Sequence, residues 1–401
     1  MEEIVNNKKR VLILCASHND LGMIMALRKL NYYIIATGNI PGLVGQKYVD
    51  EYVKADYSDK ELILSMAKEK EIDVICQCCN DLGVYTAAYV AEKLNLPGYD
   101  SYETTLLLHN KDRFKQFAER QQILTPKTYW FDNKKEAMDY VKNAKFPIII
   151  KPTDASAGNG VSKVEKYENA EEAIDYAFLK SRVGRIVIER FINGKQYGFC
   201  TFLKNQHVIA ICTNNEFSIK NPYRVEIDTY PSDNYRQVET ILVEQIEKIA
   251  HILELKDGIF HLQYIMDGDK PQIIEVMRRV LGNMYSVPAR LLTGMDWDYW
   301  EVRAKCGLSC DNFPQPIYQE GAYAYKTILA EKNGRIANIN IPEKYNKYVV
   351  HLFLLKKQGD IIYSHLTEPI GFLFLMFGSV KEMQNFLIDK YDNSIVTVEE
   401  I

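Results

Sequence analysis

The first hundred residues alternate short apolar runs with amphipathic stretches, and that alternation leaves very few architectures available to the chain. β-Branched and aliphatic runs at 10–16, 32–37, 52–55 and 74–78 read as strands, while 20–30, 60–70 and 83–94 carry helical periodicity. Strands joined through helices lie parallel with right-handed crossovers, so a doubly wound α/β sheet is expected. The first strand-to-helix turn, CASHNDLG, lacks G-x-G-x-x-G, the fingerprint that seats a dinucleotide pyrophosphate on a helix N-terminus. Asn19 or Asp20 is expected to cap the helix instead. A nicotinamide enzyme is thereby disfavoured, although the crevice beyond the strand ends can still take a small substrate.

After a turn at Leu96, Pro97 and Gly98 the pattern changes. Helices are expected at 103–108 and 111–121, and from 146 onward strands dominate: 148–151, 161–164, 186–190, 197–202 and 207–213. A helix at 169–180 interrupts them, and a long helix at 234–255 precedes a hairpin at 258–277, which together indicate an α+β body. Pro314 and Pro316 mark a linker to a third unit of strands and turns with a late helix at 381–390. The expected domains are 1–105, 106–310 with a mobile lid at about 146–195, and 311–401. A formal net charge of −4, with no basic stripe, argues against nucleic acid as a partner. No run approaches the roughly 20 apolar residues of a membrane span, and the short apolar run at 11–16 suits a first strand better than a signal peptide, so a cytoplasmic protein is expected. Among the eight cysteines, Cys76, Cys78, Cys79, Cys306 and Cys310 lack zinc-ligand spacing and are expected to be buried, reduced thiols.

Three segments carry chemistry. Ile148, Ile149 and Ile150 form a strand buried on both faces, which fixes Lys151 at its end; Ser156, Ala157, Gly158, Asn159 and Gly160 follow with almost no side-chain bulk, so backbone N–H groups can approach an anion. In the second, a buried strand leaves through Glu189 and Arg190 into the apolar pair Phe191 and Ile192, where backbone groups can read an adenine edge, and Gln196 lies within reach of a ribose hydroxyl. The third is the hairpin, where an odd-numbered turn around 267–270 would put Gln263 and Glu275 on one face as converging oxygen ligands for magnesium. Arg278 and Arg279 follow, with guanidinium forks suited to a carboxylate or phosphate; a surface ion pair is the alternative, more so for Arg278. Lys111 opens a helix and by itself reads as a solvated lysine, and Glu226 lies in a loop that can contact substrate.

These pieces, in this order, resemble the ATP-grasp superfamily over residues 10–305, and within it the carboxylate–amine ligases of the L-amino-acid ligase and glycinamide ribonucleotide synthetase type. The segment GAYAYKTIL, from Gly321, is similar to the corresponding start in amino-acid ligases. The resemblance implies an N-terminal pre-ATP-grasp domain, a two-lobed ATP-grasp body and a small C-terminal α+β domain. It implies a small-molecule acid activated as an acyl phosphate by ATP and Mg²⁺, with Mn²⁺ as an alternative ion, and captured by an amine; a homo-oligomer is compatible with it. Carried onto this chain, Lys111 and Lys151 would bind phosphates, residues 156–160 would cover them, 189–192 would hold adenine, and Gln196 the ribose. Gln263 and Glu275 would bind the metal and Arg279 would stabilise the acyl phosphate. Two positions depart from the family pattern. Gln263 replaces the usual glutamate, as in the carbamoyl phosphate synthetase branch, and Met277 replaces the asparagine of E-x-N-x-R with a soft thioether, leaving Asn283 as a substitute ligand in principle. An ATP-dependent carboxylase, a glycinamide ribonucleotide synthetase and a non-catalytic ATP sensor are the competing readings.

Overall fold

The computed structural model describes residues 8–155, 158–387 and 395–400. Near the N-terminus, strands Glu51–Lys54, Tyr33–Gly38, Arg10–Leu14 and Val74–Cys76 pair in parallel in that spatial order. Along the central strand, Val11 and Ile13 enter one apolar cluster while Leu12 and Leu14 enter another, so both faces are covered, as the alternation predicts. Strand order reverses between Arg10–Leu14 and Val74–Cys76, and the loops leaving their C-terminal ends flank a crevice. Capping there differs from expectation. Ser17 caps the short 3-10 turn His18–Asp20, and Asp20 gives helix Leu21–Lys29 no side-chain cap. Its buried carboxylate instead accepts Ser17 N–H at 2.8 Å and Cys79 N–H at 3.0 Å, tying the two strand-end loops together.

A second sheet, antiparallel, orders Thr128–Phe131, Ile186–Arg190, Ile148–Pro152 and Ser162–Val164. Helices Lys134–Val141 and Ala170–Lys180 pack on it through Ala137, Val141, Ala173, Ile174 and Ala177. The strand Thr128–Phe131 and the helix Lys134–Val141 were not expected; both are short, although Asn133 caps the helix by accepting Glu136 N–H, a spacing readable in advance.

The third sheet has eight antiparallel strands in the order Lys270–Met277, Gly258–Asp267, Gln196–Lys204, His207–Phe217, Ile227–Tyr230, Ala322–Ile328, Gly371–Phe377 and Val349–Leu354. Helix Tyr235–Ile252 lays Val238, Leu242, Ile246 and Ile249 against Phe199, Leu203, Phe260 and Leu262 on one face. Alternation therefore sends Gln196, Glu216, His261 and Gln263 to the opposite face. Strands beyond the Pro314–Pro316 segment continue this sheet without a break, through pairing of Ile227–Tyr230 with Ala322–Ile328. The late helix spans Val380–Phe386, and residues 388–394 lie outside the described part. All eight cysteines are unpaired; Cys76, Cys78, Cys306 and Cys310 are buried as expected, and Cys79 is half-buried. Among the described residues, no helix is long and apolar enough to cross a membrane.

Candidate functional site

The hairpin Gly258–Asp267/Lys270–Met277 turns through two residues, Gly268 and Asp269, with Gly268 at φ +65°. Continued regularly, this register would set Gln263 opposite Ile274 and turn Glu275 toward the helix-covered face. The odd-numbered turn expected from sequence is absent; a bulge supplies the extra residue instead. Tyr264 pairs with Ile273, Gln263 pairs with Glu275, and Ile274 is left between them. Both backbone groups of Ile273 are held from outside the hairpin: its N–H donates to Leu124 O at 2.8 Å, and its carbonyl accepts Lys115 Nζ at 2.8 Å. Ile274 and Glu275 consequently both face the cavity described next.

That cavity, of about 220 Å³, lies between the four-stranded antiparallel sheet and the hairpin. Lys111, Lys151, Gly158, Gln196, Gln263 and Glu275 line it, with Arg190, Phe191 and Ile192 along one edge and Ile149, Ile265 and Ile274 as apolar walls. Lys151 Nζ donates to Glu189 Oε2 at 2.7 Å, and Glu189 Oε1 accepts Thr128 Oγ1 at 2.7 Å and lies 3.6 Å from Lys115 Nζ. Burial opposes the charged form of Glu189, but the ammonium groups of Lys151 and Lys115 outweigh it and hold the carboxyl at about 2. Lys115, enclosed in the same cluster, is brought down to about 8 by burial, with Glu189 pulling the other way. Both neighbours of Glu189 in the sheet pair with its backbone, so its side chain and main chain are both engaged, while Glu189 lines the cavity together with residues 190–192.

Lys111 is largely enclosed rather than solvated. Its Nζ lies 3.0 Å from Glu275 Oε1 and donates to Ala155 O at 2.9 Å. Burial works against its charge, and Glu275 outweighs burial and raises it. Ser156 and Ala157 lie outside the described residues. Gly158 is left-handed at φ +73°, and a Cβ there would sit 2.5 Å from Tyr223 O, so only glycine seats this loop against Tyr223. The Tyr223 hydroxyl in turn accepts Lys163 N–H at 2.6 Å.

A second cavity of about 450 Å³ abuts the first and shares Gln196, Gln263 and Glu275 with it. On the side of the N-terminal sheet, Arg279 Nε donates to Asp81 Oδ1 at 2.8 Å, and His109 Nδ1 lies 3.2 Å from the same oxygen. Burial disfavours both charges; mutual attraction prevails, pushing the Asp81 carboxyl well down and the Arg279 guanidinium up. Across the cavity, Gln196, Glu216, Asp228 and Tyr325 are successive register partners on four strands. Gln196 Nε2 and Gln263 Nε2 donate to Glu216 Oε2 at 2.6 and 2.7 Å. With its nitrogen so directed, Gln263 has an amide oxygen to offer beside the Glu275 carboxylate. That pair fits a hard divalent ion that completes its shell with water and phosphate oxygens, whereas the Met277 sulfur on the cavity wall does not.

A family model described as phosphoribosylglycinamide synthetase, ATP-grasp (A) domain, matches residues 109–220. The whole architecture superposes on L-amino acid ligase from Bacillus licheniformis with a TM-score of 0.81 at 18% identity, covering 99% of this chain and 100% of that one. The chain has the ATP-grasp fold. Among curated relatives, the carbamoyl phosphate synthase large chain of Clostridium beijerinckii is 20% identical over 290 residues, 69% of this chain and 27% of that protein. The phosphoribosylamine–glycine ligase of Ralstonia nicotianae is 35% identical over 111 residues, 27% of this chain and 26% of the relative. This ATP-grasp chain thus spans about a quarter of the length of the curated relatives it matches.

Within the ATP-grasp frame, two expected site residues fall elsewhere. Arg278 lines neither of these cavities and is no surface ion pair: Nε donates to Asp100 Oδ2 at 3.0 Å, and the terminal nitrogens donate to the carbonyls of Ile259 and Lys256, each at 2.6 Å. It is a buried staple. Glu226 is buried as well, with Oε2 accepting Lys220 N–H at 2.9 Å, and its neighbours Arg224 and Val225 face the cavity in its place. Asn283 does reach the larger cavity, where its Nδ2 donates to Tyr325 Oη at 3.3 Å. Sequence reading missed Asp81, Lys115, Glu216, Tyr223 and Asp228. Asp81 was signalled by its place just after the fourth strand of a parallel sheet, where crevice residues gather. For the others, register and cross-domain packing supply the placement, and no local pattern announces it.

Proposed function

We propose that this chain is an ATP- and magnesium-dependent carboxylate–amine ligase. The observation that carries the reading is the placement of Gln263 and Glu275 as direct partners on the wall shared by two cavities, one edged by Lys111 and Lys151, the other by Arg279. Lys111 and Lys151 would neutralise the triphosphate, 190–192 and the apolar walls would hold the adenine, and the 158–160 turn would cover the phosphates. Gln263 and Glu275 would hold magnesium, which when bound supplies charge neutralisation at the transferring phosphoryl group. A substrate carboxylate in the larger cavity would attack the γ-phosphorus, the bond to the bridging oxygen would break, and ADP would leave. The amine nitrogen would then add to the acyl carbon; the C–O bond to phosphate would break, and the nitrogen would lose its proton. Arg279, oriented by Asp81, would stabilise the negative oxygens of the acyl phosphate. We also assign 1–105 as the pre-ATP-grasp domain, 106–310 as the ATP-grasp body with its lid, and 311–401 as the C-terminal domain.

The names of the relatives support amide-type ligation without fixing the substrates; a carboxylase or a glycinamide ribonucleotide synthetase would use the same phosphate and metal groups. Met277 on the cavity wall favours one further reading, a nucleotide sensor in which ATP binds without turnover. Phosphate release from MgATP across a panel of acids, with hydroxylamine added to capture acyl phosphates as hydroxamates, tests the assignment. Hydroxamate should form with a subset of acids, and Glu275→Gln should reduce it ~100-fold or more. Tight MgATP binding with no hydroxamate across the panel would establish the sensor instead.

A further inference from the structure

Glu216 and Asp228 stand directly opposite each other on neighbouring antiparallel strands, both facing the larger cavity. Like charges so placed repel. Among the described residues neither is within ion-pair distance of a lysine, arginine or histidine. Asp228 is 3% exposed, its Oδ1 has no partner at hydrogen-bond distance, and its Oδ2 has a long 3.4 Å contact from Tyr230 Oη, with the Tyr325 hydroxyl and the Asn214 amide as its other polar neighbours. An orphaned, buried carboxylate oxygen on a cavity wall is costly unless something arrives to meet it. What arrives must be a cation or a strong donor. A divalent metal fits poorly, because Glu216 Oε2 is already covered by two amide N–H₂ groups, and no three acidic, histidine or cysteine side chains among the described residues are placed to hold an ion. A primary ammonium, with three short-range donors, fits the two remaining acid faces.

We propose that Asp228 and Glu216 form the subsite for a protonated primary amine carried by one of the two substrates, a proposal that rests on the ligase reading above. Arg279, held by Asp81 on the side of the N-terminal sheet, marks the other pole, where a carboxylate would be activated, so the cavity is polarised to orient a molecule with both groups. The ammonium can belong to the acid substrate or to the attacking amine, which would pass one proton to a carboxylate of the pair to free its lone pair before adding to the acyl carbon, and the two sources separate experimentally. If the acid carries it, Asp228→Asn raises the KM of an amino acid in the hydroxamate reaction ~30-fold or more while the matching des-amino acid is unaffected. If the amine carries it, hydroxamate formation is unchanged in Asp228→Asn and amide formation with the amine loses a similar factor. Glu216→Gln should act in the same direction, which guards against a folding defect in one variant. Unchanged KM for acid and amine in both folded variants, or a change confined to the magnesium requirement, overturns the subsite. Should the wild type prove inactive yet bind MgATP, the ligase reading fails separately, and saturation transfer to methylammonium tests the subsite alone: signal in wild type and none in Asp228→Asn supports it, equal signal refutes it.

Discussion

Glu189 shows how a residue read as a ligand contact can be a support for one. Its carboxylate, held at about 2, clamps Lys151 and Lys115, and through Lys115 the same cluster reaches the carbonyl that precedes the hairpin bulge. Because the folded value lies below the ordinary 4.5, the group stabilises the fold above that pH and the contribution is lost as pH falls toward 2, by on the order of 3 kcal/mol. Glu189→Gln should therefore be less stable at neutral pH and show a flatter dependence between about 4.5 and 2 in urea titrations; parallel curves for the two proteins would contradict the clamp. Lys151, Gln263, Glu275 and Arg279 all line the cavities; the strand end that carries Lys151 is a local pattern, whereas Glu275 arrives there through the bulge and not through the odd-numbered turn expected from sequence. Arg278 was misread because adjacent residues on a strand end point to opposite sides, and only packing against Asp100 shows which side is the interior.

At the scale of elements, the bulge is the decisive device. A two-residue turn alone would have hidden Glu275, and the extra residue brings Ile274 and Glu275 together onto the cavity face. On the ligase reading proposed above, Ile274 would serve the adenine end and Glu275 the metal. Ile274→Ala is expected to raise the KM for ATP roughly tenfold with kcat within a few-fold, as removal of a buried apolar contact predicts. A collapse of kcat at unchanged KM, in steady-state measurements, would place Ile274 elsewhere in the cycle. Most strands and helices were legible from apolar runs and periodicity. Ile227–Tyr230 was not, since its four residues are too few to establish a period and only pairing on both sides makes them a strand.

For the molecule as a whole, Arg278 and Asp100 lock the N-terminal region to the eight-stranded sheet, and that sheet runs on into the C-terminal strands. Both partners of the ion pair are buried, so Arg278→Met leaves Asp100 with only the Lys256 N–H and the Lys305 charge to support it and should cost about 3 kcal/mol, read as a lower denaturant midpoint. Nucleotide affinity of the folded fraction should stay near wild type. A variant with unaltered midpoint would mean that the domains hold together without this staple.

The sequence by itself determined the class of fold, the order of the segments and the strand end that carries Lys151 into its small-residue loop, because periodicity, loop composition and strand ends are written in neighbouring residues. Tertiary structure alone decided that Glu216 and Asp228 face each other, that a bulge rather than the turn aims Glu275, and that Arg278 is interior. Each depends on the register or contact of segments far apart in the chain, and a one-residue shift in such a register moves every side chain to the opposite face.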